Sequence, residues 1–337
     1  MFALILISCR NETENSVSTL SIDFSSVELD SIVGLPISAH FWGNDSLMVN
    51  DQKGKYMLRM FNIAAGKDIL DLCAIGTGPN ELFPPIRTTK VNDSIYILNL
   101  SSKIVYTCSP DQPDLKEIFK APDEVMGLYY LPRHKVFIAP AIQLGEASKS
   151  SDVYAYVYNE DFSQRQKLTG FAKLWDGEKS MESSYLNKFH QIQGVCEVGN
   201  NMIAIMETHL IRLYSTEKNQ IELKKEILLY PYEYETSPAS QGSLLPTAKL
   251  KNGFVKGARD IVAYDDKMLI SVDFNVKGEP SEENNVKLIL LDKEGELKAI
   301  YETGKTLSPY PLAISVDGKI AMFSEDNGLL LLADFPK

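Results

Sequence analysis

Apolar and polar positions alternate over short runs along most of the chain, whereas the 3.6-residue periodicity of amphipathic helices is nearly absent. Within this alternation one pattern recurs six times: a polar turn is followed by three or four strand-forming residues. The first apolar residues after these turns are about 40 to 65 positions apart, which fits four-stranded blades with loop insertions. They are Leu47, Ile95, Val136, Met202, Met268 and Ile320. The pattern predicts an all-β fold, a six-bladed β-propeller.

The tight turns carry the residue types that hairpins need. Asn-Asp pairs precede the strands at 47 and 95, and Asp-Gly occurs in the turn before the strand at 320. These residues tolerate left-handed backbone and form local hydrogen bonds. A seven-bladed ring is the main alternative, because residues 171–191 are long enough to contain a degenerate unit.

The sixth unit has room for only three strands before the chain ends, at residues 312–316, 319–323 and 329–334. Its fourth strand must therefore come from elsewhere. Residues 20–24 alternate between apolar and polar side chains and have no other predicted role. We expect them to complete the last blade as its outermost strand, which closes the ring and removes an exposed sheet edge.

The long excursions between predicted strands occupy two positions of the blade repeat. Residues 141–151 and 275–284 link second to third strands, whereas 76–85, 171–191 and 230–257 link one blade to the next. Because a blade runs alternately between the two faces of the ring, both kinds of link lie on one face, here called the insertion face. Its aromatic and polar groups are expected either to contact a sugar or peptide or to pack the insertions onto the ring. They are Trp175, Tyr185, Phe189, His190, Tyr230, Tyr232, Tyr234 and Phe254.

The N-terminus has the pattern of a bacterial lipoprotein signal. Residues 1–7 are apolar, and Leu-Ile-Ser-Cys ending at Cys9 matches a lipobox, whose cysteine receives a diacylglycerol. We expect residues 1–8 to be a signal peptide, 9–19 to be a flexible tether, and 20–337 to be a single propeller domain. No basic residue precedes the apolar run, so a start site further upstream or a chance match remains as an alternative.

The charge and the cysteines narrow the function classes. The net charge of -11 argues against a nucleic-acid surface, which needs a concentrated positive field. The four cysteines form no Cys-x-x-Cys motif, and none lies close to a histidine at metal-ligand spacing, so we expect no zinc site. Cys73, Cys108 and Cys196 lie in apolar runs, where we expect buried free thiols.

A glycine-rich stretch follows the apolar run at 69–75 and reads Gly-Thr-Gly-Pro-Asn-Glu-Leu-Phe-Pro-Pro. It lacks the third glycine and the following helix of a dinucleotide fingerprint. It resembles the G-x-G-P-x-E-F signature of the TolB-like six-bladed propeller lipoproteins of Bacteroidetes, with one extra residue before the phenylalanine. The motif positions are Gly76, Gly78, Pro79, Glu81 and Phe83.

The resemblance implies a structural marker, because that family has no established enzymatic activity. The two glycines are expected to provide backbone freedom at a sharp crossing between blades. Glu81 is expected to accept hydrogen bonds from loop amides, with a channel-facing role as the alternative. TolB itself binds a peptidoglycan-associated lipoprotein, which makes a protein partner conceivable by fold-level analogy.

The residues at or near the starts of the predicted innermost strands are the candidates for a ligand site, because these strands line the channel of a propeller. Arg87 and Arg259 would clamp an acidic sugar or a carboxylate, although Arg259 would alternatively pair with its neighbour Asp260. The candidate ligand-binding residues at the channel mouth are His40, Arg87, His190, Gln193, Arg259, Asp260 and Tyr310.

No catalytic motif accompanies these candidates. The sequence contains no P-loop, no G-x-S-x-G and no H-E-x-x-H. Asp260 and Glu81 are too few carboxylates to predict a metal site, and we expect no cofactor.

The sequence therefore predicts a monomeric, lipid-anchored propeller of the bacterial envelope that binds a glycan or an envelope protein. The alternative is a propeller hydrolase or lyase acting on a sugar or lactone in the channel. A third hypothesis is a structural partner of an outer-membrane assembly, which requires a broad apolar patch on the insertion face.

Overall fold

The protein is a ring of six antiparallel sheets, as the alternating pattern predicts. The innermost strand of each sheet contacts the innermost strands of both neighbours, so that the ring is closed. The seven-bladed alternative is wrong, because the insertion at 171–191 forms a 3-10 helix, Asp176–Ser180, and a short α-helix, Ser183–Phe189. The computed structural model describes residues 3–4, 19–31, 33–142, 151–174, 176–181, 183–217, 220–237, 247–280, 285–325 and 328–335.

Each blade is built from consecutive hairpins, with the first strand innermost. Blade 1 consists of Pro36–Trp42, Ser46–Asp51, Tyr56–Asn62 and Lys67–Ile75, with Glu81–Leu82 added in parallel. Blade 2 consists of Ile86–Val91, Ser94–Asn99, Ile104–Cys108 and Lys116–Lys120. Blade 3 consists of Tyr129–Leu131, Val136–Pro140, Val153–Asn159 and Gln164–Thr169.

The second half of the ring repeats this order. Blade 4 consists of Ile192–Val198, Met202–Glu207, Leu210–Ser215 and Glu222–Leu228, with Ala3–Leu4 paired in parallel to its edge. Blade 5 consists of Val255–Tyr264, Lys267–Val276, Val286–Asp292 and Leu297–Glu302. Blade 6 consists of Ala313–Ile314, Lys319–Phe323, Leu330–Asp334 and the N-terminal strand Ser25–Val27.

The hydrophobic core is divided into layers between the blades. The structure contains six clusters of buried apolar side chains, and each fills the space between two neighbouring sheets. The alternation in the sequence explains this arrangement, because successive side chains of a strand point to opposite faces and every blade has a neighbour on both faces. Stability therefore depends on stacking around the ring.

The N-terminal segment closes the last blade, but five residues later than predicted. Ser25–Val27 pairs antiparallel with Leu330–Asp334, whereas Thr19–Ser21 pairs in parallel with the edge of blade 5. The alternating residues Ile22 and Phe24 lie between these two strands in the chain and insert into the core between blades 5 and 6. The expectation that residues 20–24 form the closing strand is therefore wrong, because their alternation reflects burial between two sheets.

The insertion face carries the two helices, the Gly76 loop and a hairpin, Tyr234–Ser237 with Thr247–Leu250. Cys9 and Trp175 lie outside the described residues, as do most of the predicted signal peptide and tether. None of the helices in the described part of the chain has the length and apolar character needed to cross a membrane.

Candidate ligand-binding channel

A cavity of about 370 Å³ opens where the innermost strands begin, on the insertion face. We call it the upper cavity. Each innermost strand runs from the insertion face to the opposite face, so its first residues converge around the mouth of the channel. Five of the seven predicted candidates line this cavity together with Tyr129. They are Arg87, Gln193, Arg259, Asp260 and Tyr310.

A second cavity of about 400 Å³, the lower cavity, lies toward the opposite face. Ser38, Thr88, Tyr129 and Asp260 line both cavities and so form the waist between them. His40 lines only the lower cavity and is therefore not at the predicted mouth. Its place is explained by strand direction, because it is the fifth residue of Pro36–Trp42 and lies well along the channel.

Asp260 is a carboxyl group held in place by two backbone amides. Its Oδ1 accepts a hydrogen bond from the amide of Ile261 and its Oδ2 one from the amide of Leu312, both at 2.8 Å. Desolvation by the channel walls raises the pKa of Asp260 to about 7, although the two amide donors act in the opposite direction. Asp260 can therefore exchange a proton near neutral pH at the waist of the channel.

The two arginines of the upper cavity have few partners of their own. Within the described residues Arg87 forms no ion pair, and its Nη1 donates only to the carbonyl of Ile86 at 3.5 Å. Arg259 lies 3.9 Å from the carboxylate of Asp273, and its buried Nε has no hydrogen-bond partner. The alternative that Arg259 pairs with Asp260 is wrong, because the ion pair that Arg259 forms among the described residues is with Asp273.

The remaining wall supplies uncharged polar groups and aromatic rings. Tyr129 donates from its hydroxyl to the carbonyl of Gln193 at 3.1 Å, and burial, followed by the nearby Asp260 carboxylate, raises the pKa of Tyr129. Tyr310 is 39% exposed at the mouth. Sequence reasoning missed Tyr129, although it begins an innermost strand as the other candidates do.

His190 lies outside the channel, in contrast to the prediction, and is only 4% exposed. It follows the helix Ser183–Phe189, which folds back over blade 4 and directs the imidazole into the protein. Its Nδ1 bonds Glu207, and its Nε2 lies 3.3 Å from Glu178. Arg212 completes this group, with its Nε 3.3 Å from Glu207. We call His190, Glu178, Glu207 and Arg212 the buried cluster.

The members of the buried cluster carry opposite charges and shift one another's pKa. Burial alone lowers the pKa of His190, but the carboxylates of Glu207 and Glu178 outweigh it and raise the pKa to about 9. Burial similarly raises the pKa of Glu207, and Arg212 and His190 reverse the effect and leave it lowered. Tyr232 donates to Glu178 at 3.0 Å. The cluster therefore fastens the helical insertion to blade 4.

The Gly76 loop has a structural role. Oε2 of Glu81 accepts a hydrogen bond from the amide of Gly78 at 2.7 Å, as predicted. A Cβ at Gly76 would lie 2.0 Å from the same oxygen, so this glycine provides room for a carboxylate. The expectation of unusual backbone freedom is wrong for both glycines, because the left-handed residue in the loop is Asn80, with φ of 61°. Pro79 precedes it, and Phe83 is exposed.

The described residues contain no group of three or more histidines, cysteines, aspartates or glutamates able to hold a metal ion. Cys73 and Cys108 are buried free thiols, as predicted, whereas Cys196 is only partly buried. Burial raises the pKa of Cys73 to about 12 and that of Cys108 to about 11, which leaves both protonated and unreactive.

Comparison with solved structures places the fold among known propellers. A putative exported protein from Bacteroides fragilis has a TM-score of 0.58 at 14% identity, over 95% of this chain and all of the other. A member of the DUF4221 family from Bacteroides vulgatus has a TM-score of 0.56 at 11% identity, over 95% and 99%. The calcium-binding protein regucalcin from Agrobacterium tumefaciens has a TM-score of 0.54 at 10% identity, over 95% and 98%.

These likenesses show a shared fold and nothing more specific. No protein-family model matches the chain, and no curated protein matches it. The function must therefore be argued from the channel itself.

Proposed function

We propose that this chain is a binding module that holds an acidic glycan at the upper cavity. The observation that carries the proposal is the pair of arginines, Arg87 and Arg259, which face one cavity. Among the described residues Arg87 forms no ion pair, and Arg259 forms one, with Asp273 at 3.9 Å. A guanidinium group matches the planar geometry of a carboxylate and binds it through two hydrogen bonds.

The other wall residues fit the neutral part of a sugar. The Gln193 amide and the Asp260 carboxyl can donate or accept hydrogen bonds with ring hydroxyls, and Tyr129 and Tyr310 offer aromatic surface. An apolar docking face for a protein partner has less support, because the exposed large apolar residues of the described chain are dispersed. They are Leu20, Ile69, Phe83, Leu223, Tyr310 and Val316.

The location is part of the same proposal. The lipobox ending at Cys9 supports a lipid anchor in the bacterial envelope, and one structural neighbour is described as a putative exported protein. The Gly76 motif supports a relationship to the TolB-like propeller lipoproteins. Incorporation of labelled palmitate into the full-length chain, and its loss in Cys9→Ser, tests the anchor.

The binding proposal is tested by a thermal-shift screen of acidic and neutral oligosaccharides, with calcium and EDTA in parallel. A ligand that binds only the folded state raises the melting temperature. We expect trigalacturonate to stabilise the protein and its fully methyl-esterified form to have no effect. Arg87→Gln should reduce the shift, whereas Lys224→Gln, on the outer strand of blade 4, should preserve it. Equal shifts with both forms of the sugar contradict the proposal.

The enzyme alternative rests on Asp260, whose pKa lies near neutral as general acid–base catalysis requires. A hydrolase of the common two-carboxylate type needs a second acid in the cavity, and Glu81 is bonded within its own loop. Release of reducing ends or of an unsaturated product from oligogalacturonate, lost in Asp260→Asn, would favour this alternative.

A further inference from the structure

A strongly basic pocket of about 320 Å³ adjoins the upper cavity on the insertion face. Four cationic side chains line it, although the whole protein carries a net charge of -11. We call it the basic pocket. Its lining residues are Thr208, His209, Tyr234, Lys249, Leu250, Lys256, Arg259 and Lys277.

Elements distant in the chain converge to build the basic pocket. Lys249 comes from the insertion hairpin, Lys256 and Arg259 from the innermost strand of blade 5, and Lys277 from the link after its second strand. The approach is close at Gly257, whose φ is 94° and where a Cβ would lie 2.5 Å from the carbonyl of Thr208. The pocket is therefore formed by the folded ring and its insertion together.

Among the described residues a single carboxylate pairs with the cations of the basic pocket. Asp273 is shared between Lys256 at 3.8 Å and Arg259 at 3.9 Å. Within the described residues Lys249 and Lys277 form no ion pair, although Glu235 is the cross-strand neighbour of Lys249. The next lysine of the hairpin, Lys251, shows the contrast, because it bonds Glu233 at 2.7 Å.

The floor of the basic pocket is rigid and neutral. His209 donates from Nε2 to the carbonyl of Val255 at 3.0 Å, which leaves Nδ1 as an acceptor facing the Tyr234 hydroxyl. Burial, with Arg259 as a further cause, lowers the pKa of His209 to about 4. Tyr234 in turn stacks on Phe189 with 4.3 Å between ring centroids. The charge of the pocket therefore comes from its three lysines and its arginine.

Arg259 lines both the upper cavity and the basic pocket, so the two sites are contiguous. We infer that the basic pocket is a second anion subsite, and that the ligand is a short oligosaccharide carrying at least two acidic groups. This inference rests on the proposed function and names its ligand class. A short ligand is favoured because the net negative charge of the protein repels a long polyanion outside these two sites.

A carbohydrate fits the combined site better than an acidic peptide does. The upper cavity places Gln193, Asp260 and two tyrosines beside the arginines, and ring hydroxyls can bond the amide and the carboxyl group, whereas the side chains of an acidic peptide carry no hydroxyl. The acidic peptide is therefore tested as the competing ligand.

The test is a calorimetric titration of the full-length chain with galacturonate, trigalacturonate, its methyl ester and hexaglutamate. We expect trigalacturonate to bind about tenfold or more tightly than galacturonate, because two linked groups occupy two subsites. In the double variant K256Q/K277Q this advantage should fall below about threefold, while galacturonate binding changes little. The matched control is K224Q/K225Q, which removes two lysines from the outer strand of blade 4.

The outcomes distinguish a failure of the second subsite from a failure of the proposed function. An unchanged trimer advantage in K256Q/K277Q overturns the second subsite and leaves the proposed function standing. Absence of binding by every galacturonate form overturns both. Tighter binding of hexaglutamate than of trigalacturonate overturns the assignment of the ligand as a carbohydrate.

Discussion

Two arginines of this propeller, Arg212 and Arg259, show opposite uses of the same charge. The Arg212 side chain is fully buried, pairs with Glu207 and Glu226, and lies over the ring of Tyr154 at 4.6 Å. Arg259 is 30% exposed and has one carboxylate 3.9 Å away. The buried charge that fastens an insertion to the ring lies beside two carboxylates, whereas the partly exposed charge at the channel mouth and in the basic pocket can be reached by a ligand.

The largest expected effect comes from removing the buried charge of Arg212. Arg212→Met should lower the free energy of unfolding by about 3–5 kcal/mol, because Glu207 then remains buried without its guanidinium partner. Urea denaturation monitored by circular dichroism measures the change. The exposed pair of Lys224 and Glu222 is the control, and Lys224→Met should cost less than about 0.5 kcal/mol. A cost below about 1 kcal/mol for Arg212→Met would contradict the structural role of the cluster.

The buried cluster should also give the protein an alkaline limit. The pKa of His190 is raised from 6.5 to about 9 in the folded state. Its contribution, about 3 kcal/mol, is therefore complete below about pH 6.5 and is lost as the pH rises through about 9. The free energy of unfolding, measured between pH 6 and pH 10, should fall as the pH rises in the wild type and fall less in His190→Gln. Parallel slopes would mean that His190 is not held as an imidazolium.

Removing a charge at the channel mouth should weaken ligand binding and leave the fold intact. Arg87→Gln should weaken trigalacturonate binding by about tenfold or more, equivalent to about 1.4 kcal/mol, since one guanidinium contact is lost. The free energy of unfolding should change by less than about 0.5 kcal/mol, because Arg87 has no ion pair among the described residues. Calorimetry and urea denaturation measure the two quantities. A variant that loses stability and binds normally would reverse the comparison.

A further pH-dependent effect is expected at Asp260, whose folded pKa is raised from 3.8 to about 7. A raised carboxyl pKa means that protonation stabilises the folded state, and that this contribution is lost as the pH rises through about 7. The stability of the wild type should therefore fall between about pH 4 and pH 8, and Asp260→Asn, which does not titrate, should show a flatter profile. A carboxyl resonance titrating near pH 4 would contradict this.

The sequence predicted the ring and most of the channel mouth because both follow from periodicity. Each innermost strand begins at the insertion face, so Arg87, Gln193, Arg259, Asp260 and Tyr310 could be located from the blade repeat. The same reasoning did not predict how deep a residue lies in the channel or how the insertion at 171–191 folds. His40 lies too far along its strand to reach the mouth. His190 lies outside the channel because the helical insertion folds back over blade 4, and the blade repeat does not encode how the insertion folds.

The buried cluster could not be predicted, because its members are distant in the chain. Glu178 lies on the 3-10 helix of the insertion, Glu207 ends the second strand of blade 4, and Arg212 lies on the third. Only the folding back of the helix brings His190 to them. The prediction for the N-terminal segment was wrong for a related reason. The alternation of Ile22 and Phe24 shows which side chains are buried, but it does not specify which backbone groups are paired.

The most direct test of the central claim, that the cations of the upper cavity and the basic pocket bind an acidic oligosaccharide, is a crystal structure of the protein with trigalacturonate at saturating concentration. We predict density for the sugar in the upper cavity, with one carboxylate bonded to the guanidinium groups of Arg87 and Arg259. Sugar bound elsewhere, or an upper cavity filled only by water at that concentration, would contradict the account.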